Sequence, residues 1–232
     1  MSGAPVADWR AVLFDLDGTL ADTVPLILRC FRHTMLTHRG HELPDHMWIP
    51  TIGRPLRAVM AEFATDAAES ERMLNTYVEF QRTVHDEMVG GFPGAAETIT
   101  ALRARGVKVG VVTSKGREMT DRTIGRCGLT DALDVLVTAH DVTHGKPDPE
   151  PVLLALARLG LEGKGEEVLF VGDSIFDLIA GRAAGVRTAA ATWGTSTREQ
   201  MEPEMPDYWI GGLSEVLSLR PRDPSNPAAS RG

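Results

Sequence analysis

Cysteine is scarce in this chain. Cys30 and Cys127 are the only two in 232 residues, and no short spacing joins them. That excludes a disulfide-built scaffold and leaves two thiols expected to be reduced and buried in a cytoplasmic protein. Long apolar runs are missing too. No uninterrupted stretch approaches bilayer-crossing length. Residues 1–10 lack a basic region followed by an apolar run, so no secretory signal is expected. Positive charge is in deficit, with 24 Lys and Arg against 32 Asp and Glu and a formal net charge of −8. Such a surface suits neither nucleic acid nor an anionic membrane. It still permits a small anionic substrate where a local cation reverses the field. Neither G-x-G-x-x-G nor G-x-x-x-x-G-K-[ST] occurs, which removes the usual nucleotide cradles. No internal repeat is visible, and residues 20–89 contain no lysine.

What is present is an alternation. Residues 11–14 (Ala-Val-Leu-Phe) read as a short buried strand. From Gly94 onward, β-rich runs at 107–112, 135–137, 168–171 and, more weakly, 186–191 alternate with helical patterns at about 95–105, 117–127, 149–159 and 174–184. Strand–helix alternation implies an α/β fold, a doubly wound parallel sheet with helices on both faces. Residues 20–89 differ, with no convincing strand. Ile27, Phe31 and Met35 mark one amphipathic helix, Leu56, Val59, Met60 and Phe63 a second, and Met73, Tyr77, Phe80, Val84 and Met88 a longer third. This reads as a small helical cap inserted after the first strand, with hinges at about 18–23 and in the Gly/Pro-rich 89–94. The expected division is a core of residues 1–18 and 92–220 with a cap of 19–91. The Pro/Ser/Ala-rich residues 221–232 are expected to lack fixed structure.

In an open parallel sheet, chemistry gathers at the carboxyl ends of the strands. Asp15-Leu16-Asp17-Gly18-Thr19 follows the first strand. Its two carboxylates would face one side, and their repulsion would be relieved by a divalent cation that leaves one free to attack an electrophile. The alternative is an ordinary Asp-Gly turn. Thr113 and Ser114 follow the second core strand, where hydroxyl and backbone N–H groups suit a phosphate oxygen or simply cap a helix. Lys146, framed by Pro147 and Pro149, is either held against the nucleophile and a phosphate or solvated. Asp173 follows the fourth core strand and would complete an oxygen-only shell of the kind that suits Mg²⁺, with Asp177 one helical turn behind it. As alternatives, Asp173 is an N-cap and Asp177 a solvated helix residue.

Taken in order, DxDGT, the hydroxyl pair, Lys-Pro and GDSxxD resemble the haloacid dehalogenase-like hydrolase superfamily, over residues 11 to about 193. The resemblance implies a Rossmann-like core with spatial strand order 5-4-1-2-3 and a helical cap after the first motif. It implies Asp15 as nucleophile forming an aspartyl-phosphate, and Asp17 as acid and then base. Mg²⁺ would be held by the Asp15 carboxylate, the Asp17 backbone carbonyl and Asp173, supported by Asp177. Thr113 would bind the phosphoryl group with help from Ser114, and Lys146 would orient Asp15. The acid at Asp17 favours phosphoryl transfer over dehalogenation, and the lysine-free cap disfavours phosphonate cleavage. The 31–34 (Phe-Arg-His-Thr) and 51–56 segments resemble the phosphoglycolate phosphatase and pyrophosphatase branch. The expected enzyme is therefore a Mg²⁺-dependent phosphatase of a small phosphorylated metabolite, as monomer or homodimer. A sugar-phosphate phosphatase or mutase is the alternative within the superfamily.

In the cap, Arg54 is the leading specificity residue, since its fork would match a carboxylate or second phosphate, with a solvated arginine as the alternative. His33 is a candidate for the cleft between cap and core, with an ordinary core or surface histidine as the favoured alternative. His38, His41 and His46 fit no tight metal template. A phospho-aspartate receiver would share the Asp, Thr/Ser and Lys set, but has no use for a helical lid, whereas a hydrolase needs one to exclude water.

Overall fold

The structure is a computed structural model and describes residues 8–221. Strand β1 (Ala11–Phe14) is buried along its whole length, because both faces of the sheet are covered. Val12 and Phe14 point into one hydrophobic cluster and Leu13 into the other, as strand alternation requires.

Further along the chain come β2 (Ala21–Asp22), α1 (Val24–Arg39), α2 (Leu56–Phe63), α3 (Ala67–Met88) and β3 (Gly90–Gly91). The core then continues with α4 (Ala95–Ala104), β4 (Lys108–Val112), α5 (Arg117–Arg126), β5 (Val135–Val137), α6 (Glu150–Leu159), β6 (Val168–Gly172), α7 (Ile175–Ala183), β7 (Arg187–Ala191), α8 (Arg198–Met201) and β8 (Tyr208–Ile210). The large sheet has the order β5-β4-β1-β6-β7-β8, every pairing parallel. Counted over the five core strands, this is the expected 5-4-1-2-3. The fold is α/β and doubly wound: α4 and α5 cover the Val12/Phe14 face, while α6 and α7 cover the Leu13 face.

Two features depart from the sequence reading. Strand β8 extends the sheet beyond β7, through Ala189↔Tyr208 and two further pairs, although three residues carry too little alternation to show in a sequence. Residues 20–89 do contain a strand: β2 pairs antiparallel with β3, Ala21↔Gly91 and Asp22↔Gly90. This ribbon ties together the chain leaving the core and the chain returning to it.

Between its strands, α1, α2 and α3 enclose a cluster of their own, including Leu26, Phe31, Met35, Trp48, Met60 and Met73. Phe31 stacks on Trp48 with ring centroids 4.3 Å apart, and Trp48 packs on Phe63 at 4.1 Å. Asp66 caps α3 by accepting from the Glu69 N–H. Apart from Pro221 itself, the tail expected to lack structure lies outside the described residues.

Candidate active site

The carboxyl ends of β1, β4 and β6 bring the predicted residues to one edge of the sheet. Asp15 continues β1 through a bond from its N–H to the Val171 carbonyl (2.8 Å). The chain then turns at Gly18, whose φ of 85° favours glycine, and a Cβ there would fall on the Asp173 carboxylate. Asp15 and Asp17 both line a cavity of about 570 Å³ between the sheet edge and the inserted helices.

Lys146 is neither solvated nor free. It is 1% exposed, with Nζ 2.8 Å from Asp15 Oδ1 and 2.5 Å from Asp177 Oδ1, and it donates to the Val112 carbonyl at 3.3 Å. Burial opposes its charge, but Asp15 and Asp177 prevail and hold its pKa above the ordinary value. Asp15 is pushed well above the usual carboxylate range by burial, with Asp177 and Asp173 adding repulsion and Lys146 opposing. Asp173 is raised to about 6, mainly by burial and by Asp177.

Neither Asp173 nor the hydroxyl pair serves as a helix cap. The cap of α7 is Ser174, in a reciprocal capping box with Asp177, which is fully buried rather than solvated. Asp173 instead accepts from Thr19 Oγ1 (2.7 Å), Thr195 N–H (2.7 Å) and Thr195 Oγ1 (2.9 Å). Helix α5 is capped at Gly116 without a side-chain bond. Thr113 is buried at the cavity wall, its Oγ1 accepting from the Lys115 N–H at 3.2 Å. Ser114 donates to the Gly53 carbonyl of the helical insertion at 2.7 Å. Gly53 has a φ of 99°, and a Cβ there would lie 2.8 Å from Ser174 Oγ, so the insertion is seated directly on the core loops.

Cation fit can be judged from the donors. Asp15, Asp173 and Asp177 each present a carboxylate oxygen within 4.8 Å of the others. Asp15 Oδ1 is buried without a hydrogen bond; the Lys146 ammonium is close but outside hydrogen-bonding geometry. Three carboxylates against one ammonium leave two negative charges in a desolvated pocket, the deficit a divalent cation fills. Asp177 already accepts from Lys146 on Oδ1 and from Ser174 on Oδ2, so it is better placed to support a metal than to bind one. The residues present therefore fit a hard divalent cation.

The sequence reading missed Lys115. Its Nζ lies 2.7 Å from Asp17 Oδ1, which also accepts from Thr23 Oγ1 at 2.6 Å. The signal was available, since Lys115 directly follows the hydroxyl pair at a strand end. Thr195, 22 residues beyond Asp173, offered none. Arg54 lines the cavity, half-buried, but is not free: its guanidinium is forked onto Glu62. His33 stacks on Phe80, with centroids 3.8 Å apart, and is not among the cavity-lining residues. His38 bonds Thr76 Oγ1 and His41 bonds the Arg39 carbonyl; among the described residues the acidic trio is the only group of metal-ligating type brought together.

A buried carboxylate–lysine centre at the carboxyl edge of a parallel sheet, roofed by inserted helices, defines a hydrolase of the α/β class. Residues 12–191 match the haloacid dehalogenase-like hydrolase family, and the chain belongs to that family, as a member of phosphatase type. It is 38% identical over 210 residues to pyrophosphatase PpaX of Bacillus cereus, covering 90% of this chain and 95% of that one. A solved structure from Bacteroides fragilis, described as a haloacid dehalogenase-like hydrolase, superposes with a TM-score of 0.84 at 32% identity, covering 90% of this chain and all 100% of that one. A Haemophilus somnus protein described as a predicted phosphoglycolate phosphatase shares the fold, with a TM-score of 0.82 at 21% identity over 91% of this chain and 98% of that one. Among the described residues, no helix is long and apolar enough to cross a membrane.

Proposed function

We propose that this chain hydrolyses a small phosphorylated metabolite, with pyrophosphate and phosphoglycolate as the leading substrates, through an aspartyl-phosphate on Asp15 and with Mg²⁺ as cofactor. The observation that carries the reading is the Asp15 carboxylate, buried beside Lys146 with one oxygen lacking a hydrogen bond, in the cavity that Asp17 also enters. Mg²⁺, held by Asp15, Asp173 and the Asp17 backbone carbonyl with Asp177 in support, would supply positive charge against the phosphoryl oxygens.

Asp15 would attack phosphorus, with Lys146 fixing its orientation and balancing its charge. Asp17 would give a proton to the departing oxygen. It would then take one from the water that attacks the aspartyl-phosphate, releasing phosphate and restoring Asp15. Thr113 would donate to a phosphoryl oxygen, and Ser114 would hold the roof by its bond to Gly53. The inserted helices act as a cap that excludes bulk water during transfer. Arg54 would have to leave Glu62 to reach an anion. The acidic balance and reduced thiols support a cytoplasmic setting.

The test is phosphate release with Mg²⁺ from pyrophosphate, phosphoglycolate, sugar phosphates and nucleotides, for wild type and Asp15→Asn. Wild type should turn over at least one substrate in a chelator-sensitive way, and Asp15→Asn should lose at least about a thousandfold while keeping its circular dichroism. Turnover retained by Asp15→Asn, or insensitive to chelator, refutes the mechanism.

A further inference from the structure

Most polar groups around the cavity are already committed. Each cationic side chain lining it is paired with a carboxylate: Arg54 with Glu62, Arg57 with Glu71, Arg82 with Glu118, and Lys115 with Asp17. Two buried polar residues on α3 differ. Tyr77 is 3% exposed and Gln81 4% exposed, and both line the cavity that contains Asp15 and Asp17. Neither the Tyr77 hydroxyl nor the Gln81 amide has a hydrogen-bond partner among the described residues. They stand one helical turn apart, so they present a hydroxyl and an amide on one face of the helix.

Neither polar end is among the fully buried atoms left without a partner, so each is open to the cavity its residue lines, where it can bond water or a ligand. Tyr77 is also held rigidly, its ring edge-on to Phe31 with centroids 5.2 Å apart. Burial, and then the nearby Cys30 and Asp17, keep its phenol protonated and therefore a donor. Tyr77 shares the insertion's hydrophobic cluster with Ile27, Phe31, Ile52 and Val59, which also line the cavity, so its hydroxyl stands beside an apolar part of the wall.

We propose that Tyr77 and Gln81 read the leaving group, donating hydrogen bonds to anionic oxygens carried beyond the scissile P–O bond. The ligand is thus a compact phosphoryl donor whose leaving group bears a carboxylate or a second phosphate. This deepens, and rests on, the phosphatase reading. It assigns recognition by the cap to neutral donors on a helix face, while the arginines keep their carboxylate partners.

The test compares kcat/KM with Mg²⁺ on pyrophosphate, phosphoglycolate and phenyl phosphate, the last having a leaving group without such oxygens. In Tyr77→Phe, which removes one oxygen and keeps the ring, the ratio of kcat/KM on an oxygen-bearing substrate to that on phenyl phosphate should fall about tenfold to a hundredfold. Gln81→Met should show a loss of the same kind. A larger fall for pyrophosphate names phosphate as the leaving group; a larger fall for phosphoglycolate names a carboxylate. A merely structural role would lower all three rates together and leave the ratio unchanged. That result, in both variants and with active wild-type protein, overturns this inference alone. Wild-type protein that releases no phosphate from any of the three removes the phosphatase reading and this inference with it.

Discussion

Replacing Lys146 by methionine tests the electrostatic account of the site more directly than any loss of activity. The substitution keeps an unbranched chain in the slot and removes only the charge and its donors. In the native protein that ammonium lies 2.8 Å from Asp15 Oδ1 and 2.5 Å from Asp177 Oδ1, with the lysine 1% exposed. Water cannot replace it, so two buried carboxylates lose their shared counter-charge while Asp173 continues to repel both. Breaking a buried ion pair on one side costs about 3–5 kcal/mol, a large part of the stability of an ordinary domain. Urea unfolding of metal-free protein at pH 7 should show that loss as a lower midpoint with an unchanged slope. The loss should shrink at pH 5, because protonating one carboxylate relieves the uncompensated charge. A loss under about 1 kcal/mol at pH 7, or one that grows on acidification, would refute the view that Lys146 is held in place to neutralise Asp15 and Asp177.

Asp17→Asn should slow formation and breakdown of the phospho-enzyme, with kcat falling about a hundredfold or more; rapid-quench kinetics showing either step unchanged would remove its double role. In metal-free protein, replacing Asp173 by asparagine should remove a loss of stability between pH about 4 and about 6, because Asp173 is raised to about 6 in the folded state and Asp15 is also raised. The sign follows from these two groups binding more protons in the folded state than in the unfolded one in that window, so their contribution to stability is greatest below it. Saturating Mg²⁺ should cancel much of the decline, by about 2.7 kcal/mol at a hundredfold excess over Kd; melting curves indifferent to Mg²⁺ at pH 7 would contradict the metal site.

Much of the site was legible in the sequence because a parallel sheet gives chain order a spatial meaning. A polar residue that ends a buried strand must lie at the carboxyl edge, so Asp15, Thr113 and Asp173 could be placed together without knowing a single contact. The helices of the insertion were legible for a related reason. The spacing of Ile27, Phe31 and Met35, or of Met73 and Tyr77, reports which face is buried.

Periodicity does not report what lies across that face. Tyr77 marks the packed side of α3 in the sequence, yet in the structure it belongs both to the insertion's hydrophobic cluster and to the cavity wall. Arg54 looked available because its partner, Glu62, stands eight residues away on the following helix, a loop-to-helix pairing that no repeat announces. Thr195 and Thr19 reach Asp173 from two different loops, fixed by the tertiary fold alone. The carboxylates and Lys146 sit where chain topology puts them, their hydroxyl partners come from loops that only the tertiary fold brings together, and Tyr77 and Gln81 reach the cavity from the insertion. On the proposed reading, chemistry in this chain is written at strand ends, and selectivity across the interface between core and insertion. Substitutions at Tyr77 or Gln81 should change which phosphate is cleaved, and substitutions at Asp15 or Lys146 whether any is cleaved at all.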